Sequence, residues 1–293
     1  MQIQPDTTSQ KPRTRHPAWI RTYAPGGPQF TQVRELANRL KLHTVCEEAK
    51  CPNMGECWSH GTATFMLMGD VCTRRCHFCS VGKGRPESLD PQEPHNAAEA
   101  VQTINIQHVV LTSVDRDDLP DQGSVHFART IEVIHERRPE CRIEALIPDF
   151  RGDPECIARL VNSPLDVLAH NVETVPRLYK EVRPGSDYER SLRVLSTARE
   201  LRPDIITKSS VMLGLGETND EVLAVARDLR RHDCNIMTIG QYLRPSLREL
   251  PVQRYLPPEE FADLRAAILP LGFRHVEAGP LVRSSYHAWE HVK

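Results

Sequence analysis

The chain has 293 residues, 39% of them hydrophobic, with 37 basic against 39 acidic side chains and a formal charge of −2. That length buries a substantial core as one large domain or two ordinary ones, and the near-neutral charge argues against a dominant nucleic-acid or membrane-surface footprint. No run of about 18 apolar residues occurs and no apolar secretory core opens the chain, so the expected location is cytoplasmic, or an organelle matrix if the chain is processed.

Residues 1–17 are polar and carry Pro5, Pro12 and Pro17, which predicts a flexible tail. An extended arm anchored by Trp19 follows, turned at Pro25-Gly26-Gly27-Pro28. Residues 31–41 have helical apolar spacing at Val33, Leu36, Ala37 and Leu40, with Thr31 expected at the N-cap. The short apolar run at 62–69 reads as a buried strand.

Beyond Asp90, helical patterns at 94–105, 124–138, 154–162, 188–201, 219–232 and 258–271 alternate with apolar runs at 108–114, 142–148, 167–173, 206–213 and 236–243. With the first run these make six strands in βαβ units around a parallel sheet. Six units are too few for a closed eight-fold barrel, so the expected fold is α/β, a partial (β/α)6 TIM-like barrel. Its polar residues gather at the C-terminal strand ends: residues 72–79, Asp115 to Asp118, His170, Asn171, Glu173, Gln241 and Arg244.

The densest chemistry lies between residues 46 and 79, which hold six of the nine cysteines. Cys46, Cys51 and Cys57 form a C-x4-C-x5-C triplet; Cys72, Cys76 and Cys79 form C-x3-C-x2-C. An odd, clustered cysteine set favours metal or redox chemistry over disulfides. A cubane iron–sulfur cluster needs one outside ligand per iron, and a tight loop supplies three thiolates, so each triplet reads as a holder for one cluster, and the second, with no local fourth ligand, would leave one iron open. Structural zinc sites use four ligands, commonly as C-x2-C pairs, which neither triplet provides alone. Cys141, Cys156 and Cys234 read as small buried hydrophobes, and His77 as a solvent-facing loop residue. Phe78 suits a cover for a cluster, an adenine-stacking ring or ordinary packing equally well. Asp115, Arg116, Asp117 and Asp118 read as a solvated loop.

The second triplet, placed after a first strand, resembles the signature of the radical S-adenosylmethionine superfamily. With the first triplet, His170-Asn-Val-Glu-Thr-Val175, Gly214-Leu-Gly-Glu-Thr218, Gln241-Tyr-Leu-Arg-Pro245 and Arg283-Ser-Ser-Tyr286, the chain resembles the lipoyl synthase family over about residues 17–290. The resemblance implies two 4Fe-4S clusters and S-adenosylmethionine. Cys72, Cys76 and Cys79 would hold the radical-generating cluster. Cys46, Cys51 and Cys57 would hold an auxiliary cluster, completed by Ser285, with Ser284 the second choice. Phe78, Asn171, Glu173 and Arg244 would contact the cofactor, Gly214 and Gly216 would admit adenine close to the backbone, and the carboxylates of Asp115, Asp117 and Asp118 would steer the carrier lysine.

The implied reaction is sulfur transfer: two sulfur atoms of the auxiliary cluster inserted at carbons 6 and 8 of an octanoyl chain amide-linked to a carrier lysine. No acidic proton exists at those carbons, so general acid–base chemistry alone would not begin it. Implied partners are octanoylated lipoyl carrier domains (2-oxoacid dehydrogenase E2 subunits and the glycine cleavage H protein), an electron donor such as ferredoxin or flavodoxin, and an iron–sulfur carrier for repair. No nucleic-acid or membrane partner is expected. The implied division is a tail at 1–17, an N-terminal extension with the auxiliary motif at 18–60, the barrel at 61–275 and a closing segment at 276–293. Two other readings compete: another radical enzyme of sulfur insertion or methylthio transfer, and a non-catalytic iron–sulfur electron carrier or structural metal protein.

Overall fold

Fully apolar strands need cover on both faces, and the amphipathic helices between them supply it on one side while the strands curl around a shared interior on the other. In the computed structural model, which describes residues 16–22, 24–59 and 63–291, the chain runs α1 (Pro28–Arg39), β1 (His43–Thr44), α2 (Val45–Glu48), α3 (Met54–Ser59), β2 (Thr64–Leu67), β3 (Val71–Cys72) and β4 (Gly82–Lys83). It continues through α4 (Glu93–Ile104), β5 (His108–Ser113), α5 (Ser124–Arg137), β6 (Arg142–Leu146), α6 (Pro154–Val161) and β7 (Val167–Ala169). It ends with α7 (Tyr179–Val182), α8 (Tyr188–Leu201), β8 (Ile206–Leu213), α9 (Asn219–Arg231), β9 (Ile236–Gln241), α10 (Pro258–Ile268) and β10 (His275–Gly279).

The main sheet has the order β1-β2-β5-β6-β7-β8-β9-β10, with β1 antiparallel to β2 and every other neighbour pair parallel. All six expected strands are present, and the partial-barrel expectation holds. Two further strands join them: the two-residue β1 at one edge and β10 at the other. The boundary expected at 275/276 falls at the start of β10. Most of the expected tail, residues 1–15, lies outside the described residues, as do Thr62 and the 60/61 boundary.

Local chemistry explains the helix ends. Asp187 accepts from the Arg190 amide and caps α8, while Thr218 and Glu221 form a reciprocal capping box on α9. Helix α1 has Gly27 as its N-cap, four residues before the cap expected at Thr31. Pro28 occupies its first turn, where a fixed φ suits the helix and a missing N–H loses nothing. Thr31 is therefore inside the helix, and its hydroxyl donates back to the Gly27 carbonyl. The Trp19 indole does anchor the arm, donating to the Leu256 carbonyl at 3.1 Å. Cys141, Cys156 and Cys234 are buried, as expected of small hydrophobes. Among the described residues no helix is long and apolar enough to cross a membrane.

Candidate active site

The C-terminal ends of the parallel strands open onto one cavity of about 320 Å³. Cys72, at the end of β3, and Cys76 and Cys79, in the loop that follows, enter it, with Asp115, Asn171, Glu173 and Gln241 from the loops and ends of later strands. Short backbone bonds shape the cysteine loop: the Cys79 amide donates to the Cys76 carbonyl, and the Arg74 and Asp115 amides approach the Cys72 sulfur at 3.4 and 3.3 Å.

Arg74, from between the first two of these cysteines, is the loop's tether. Its buried guanidinium bonds Asp117 through two nitrogens, at 2.9 and 3.0 Å, and Asp149 at 2.6 Å. Asp149 also accepts from Arg190 at 2.7 Å, and Asp117 from Arg151 at 3.2 Å. The expectation of a solvated loop at 115–118 is thus corrected for Asp115, Arg116 and Asp117, whereas Asp118 is exposed. Arg116 is 2% exposed and holds Asp118 through both ends of its guanidinium, because ions leaving water at this depth need partners. His77 is exposed as expected, yet its amide donates to the Val182 carbonyl and its carbonyl receives the Leu250 amide, which fastens the cysteine loop to the opposite wall.

The first triplet is built by α2, α3 and the turn between them. Cys46, Cys51 and Cys57 line a second, smaller cavity together with Ser285. Cys51, Arg283 and Ser285 stand in the walls of both cavities, whereas Ser284 faces only the larger one. The C-terminal segment is brought there by three contacts. Asn53 donates to the Leu281 carbonyl at 2.7 Å, the Tyr286 hydroxyl donates to Glu56 at 3.0 Å, and the segment crosses β9 at Gly240, where a Cβ would lie 1.9 Å from the Val282 carbonyl. Ser80 ties the two cysteine loops together by donating to the Glu48 carbonyl at 2.8 Å.

Burial, with Cys51 next, pushes the Cys46 thiol up to about 12; burial, with Asp115 next, does the same at Cys72, and Cys79 is raised to about 11 chiefly by burial. Thiolates at such depth need compensating positive charge, of the kind a bound metal would provide. Two arginines assist, one per triplet: against burial, Arg183 lowers Cys76 and Arg283 lowers Cys51.

The expected cofactor contacts separate into two groups. Phe78, Asn171 and Glu173 line the large cavity. Glu173 sits at φ 64°, and strain in a non-glycine residue at a site wall is a mark of imposed position. Its carboxylate takes a hydrogen bond from Asn171 at 3.1 Å, and burial, opposed by Arg183, raises its pKa. Arg244 is not among the lining residues: its guanidinium is spent on the Leu247 and Glu249 carbonyls of its own loop, at 2.6 and 2.8 Å. Gly214 does permit a close approach, but to protein. A Cβ there would lie 2.2 Å from the Gln241 amide nitrogen and 2.4 Å from the Arg254 carbonyl, and neither Gly214 nor Gly216 lines the cavity.

Arg183 is a cationic wall residue that sequence reasoning missed. It is 9% exposed, donates to the Asn171 carbonyl at 2.7 Å, and lies 5.6 Å from the Tyr179 ring centre. Its signal was Tyr179 four residues earlier, a spacing that lets one turn of helix stack the pair.

A model of the radical SAM superfamily matches residues 66–229, more than half of the chain. The structure overlays Streptococcus suis SuiB bound to its precursor peptide with a TM-score of 0.58 at 9% identity, over 85% of this chain and 53% of that one. It overlays methylornithine synthase with a TM-score of 0.51 at 15% identity, over 72% and 69%. Fold and cysteine loop together define a radical SAM protein, whose chemistry rests on iron–sulfur and S-adenosylmethionine. A model of the N-terminal domain of lipoyl synthase matches residues 4–51. Lipoyl synthase of Chloroflexus aggregans is 52% identical over 286 residues, 98% of this chain and 94% of its own, and that of Laribacter hongkongensis is 54% identical over 277 residues, 94% and 88%. The chain belongs to the lipoyl synthase family.

Proposed function

We propose that this chain inserts two sulfur atoms, at carbons 6 and 8, into an octanoyl group carried on a lysine of a lipoyl carrier protein. The observation that carries the reading is the shared wall of Cys51, Arg283 and Ser285, which sets the first triplet next to the cavity into which the second opens. One site for hydrogen abstraction and one for sulfur storage must both reach the same chain carbons, and a shared wall allows that.

In this reading Cys72, Cys76 and Cys79 hold one 4Fe-4S cluster, and Cys46, Cys51, Cys57 and Ser285 hold the other. With S-adenosylmethionine also bound, the chemistry supplied is reductive sulfonium cleavage, hydrogen abstraction from an unactivated C–H bond, and sulfur donation. Ser285 rather than Ser284 is the assigned fourth ligand because it lines the first triplet's cavity. A hard serine oxygen is a poorer partner for a sulfur-rich cluster than thiolate, which suits a site that gives its cluster up.

The protein's own share is placement and shielding. Val114, Ile147, Val211 and Tyr242 make an apolar wall against water around the cavity. Asn171 and Glu173 offer hydrogen-bonding groups to the cofactor's ribose or ammonium, and Phe78 offers a ring face. Arg183 supplies the buried cation beside Cys76 that Arg244 does not. Residues 18–60 and 276–293 act as one unit that stores sulfur, and the barrel as the unit that generates the radical. An electron donor such as ferredoxin or flavodoxin feeds it, and an iron–sulfur carrier restores the spent site.

The test uses anaerobic protein with both sites loaded, a reductant, S-adenosylmethionine and an octanoyl-lysine peptide. A peptide product with two added sulfurs is expected. Peptide left unchanged by fully loaded protein that still cleaves S-adenosylmethionine would reject the substrate, and a single methylthio group would assign the competing transfer activity.

A further inference from the structure

At the N-terminal end of the parallel strands, opposite Cys72, Cys76 and Cys79, the C-terminal segment meets β10. His275 and Glu277, two apart on one strand, face the same side, with the imidazole Nε2 3.3 Å from the carboxylate. His291 stacks on His275 with ring centres 4.8 Å apart and an interplanar angle of 29°. One donor atom from each of the three lies within 4.8 Å of the other two. His291 is 2% exposed, and among the described residues neither of its ring nitrogens has a hydrogen-bond partner. Two unsatisfied nitrogens on a buried ring are costly, and such a group signals an ion or water between it and its neighbours.

We infer that His275, Glu277 and His291 form a binding site for a divalent cation of the zinc class, which fastens the C-terminal segment to β10. Two imidazoles and a carboxylate are a donor set zinc takes, with a further position for water. The charged group that acts most strongly on His291 is Lys208. The ammonium that would repel a cation is itself held by Glu144 at 2.8 Å, and Glu277 brings a negative charge. Glu277 and His275 are half-buried, which leaves a path from solvent. Six residues before His291 stands Ser285, so fastening the one steadies the other. The inference does not depend on the sulfur-insertion reading.

The experiment takes tag-free protein with its iron–sulfur sites loaded, treats it with a chelator, and titrates it with zinc. Elemental analysis and zinc-edge X-ray absorption are the readouts. One zinc per chain beyond the iron is expected, with nitrogen and oxygen neighbours and no sulfur. Glu277→Gln, a rim change that leaves the fold intact, should weaken zinc binding at least tenfold, as should His291→Ala, and zinc should raise the melting temperature of the parent but not of Glu277→Gln. No bound zinc, a sulfur shell placing the zinc in the cysteine triplets, or unchanged affinity in Glu277→Gln would each overturn the assignment.

Discussion

The Tyr286 hydroxyl donates to both carboxylate oxygens of Glu56, at 3.0 and 3.1 Å, across 230 positions of chain. Glu56 precedes Cys57 and Tyr286 follows Ser285, so this bond sets the far end of the chain against the first cysteine triplet. A hydrogen bond to a charged group contributes about 1.5–3 kcal/mol, on the order of tenfold or more in docking of the segment. Tyr286→Phe should therefore lose iron from the auxiliary site faster and cut the sulfur-bearing product several-fold, while S-adenosylmethionine cleavage stays within about twofold of the parent. Equal losses in both activities would show that the bond supports the whole fold instead.

The two neighbouring serines are separable by the same logic. Ser285→Ala should lower auxiliary iron and abolish sulfur insertion, whereas Ser284→Ala, which faces only the larger cavity, should keep iron content and alter rate or substrate affinity. Iron analysis with Mössbauer spectra of the two variants checks this, and the reverse pattern would transfer the ligand role to Ser284.

His170 predicts an acid limb of stability. It is 2% exposed, with Nδ1 2.9 Å from the Ile147 carbonyl, and burial, with Arg183 next, pushes it down to about 4. The folded value lies below the unfolded value of 6.5, so the unfolded chain binds the proton more readily. Its stabilisation is complete above pH 6.5 and is lost as pH falls through about 4, by up to roughly 3 kcal/mol. Melting temperature against pH should fall less steeply in His170→Gln across that window. Parallel curves for parent and variant would contradict the assignment.

The ion pair inside the barrel is a second stability determinant. Lys208 reaches Glu144 at 2.8 and 3.1 Å with both side chains at most 1% exposed. Against burial, Lys208 and His108 hold Glu144 down to about 2. Lys208→Met strands a buried carboxylate and should destabilise by about 3–5 kcal/mol, and a charge-free pair, Lys208→Met with Glu144→Gln, should recover much of that. Denaturant midpoints measure both.

The barrel was legible because its signals are local and repeated. Tyr188–Leu201 begins at a capping aspartate and keeps its apolar stripe, so its predicted and observed limits coincide. The cysteine triplets were legible because sulfur spacing states its own chemistry. β10 was not: His-Val-Glu-Ala-Gly is short and polar, and it becomes a strand only by pairing with β9. Thr31 misled because Pro28 set the helix start ahead of it. Arg244 and Gly214 lie in motifs that carry the family resemblance, but one closes its own loop and the other makes room for Gln241. The four-residue spacing pairs Arg183 with Tyr179, but what sets Arg183 at the cavity is its bond to the Asn171 carbonyl, which spacing alone does not reveal.

The central claim is a division of labour between the two triplets, and isotopic sulfur tests it most directly. Protein whose clusters are built with heavy sulfide should, in a single turnover without added sulfide, give an octanoyl-lysine peptide carrying two heavy sulfurs. Cys46→Ala should cleave S-adenosylmethionine but give no such product, and Cys76→Ala should do neither. Light sulfur in the product, or sulfur insertion by Cys46→Ala, would contradict the account.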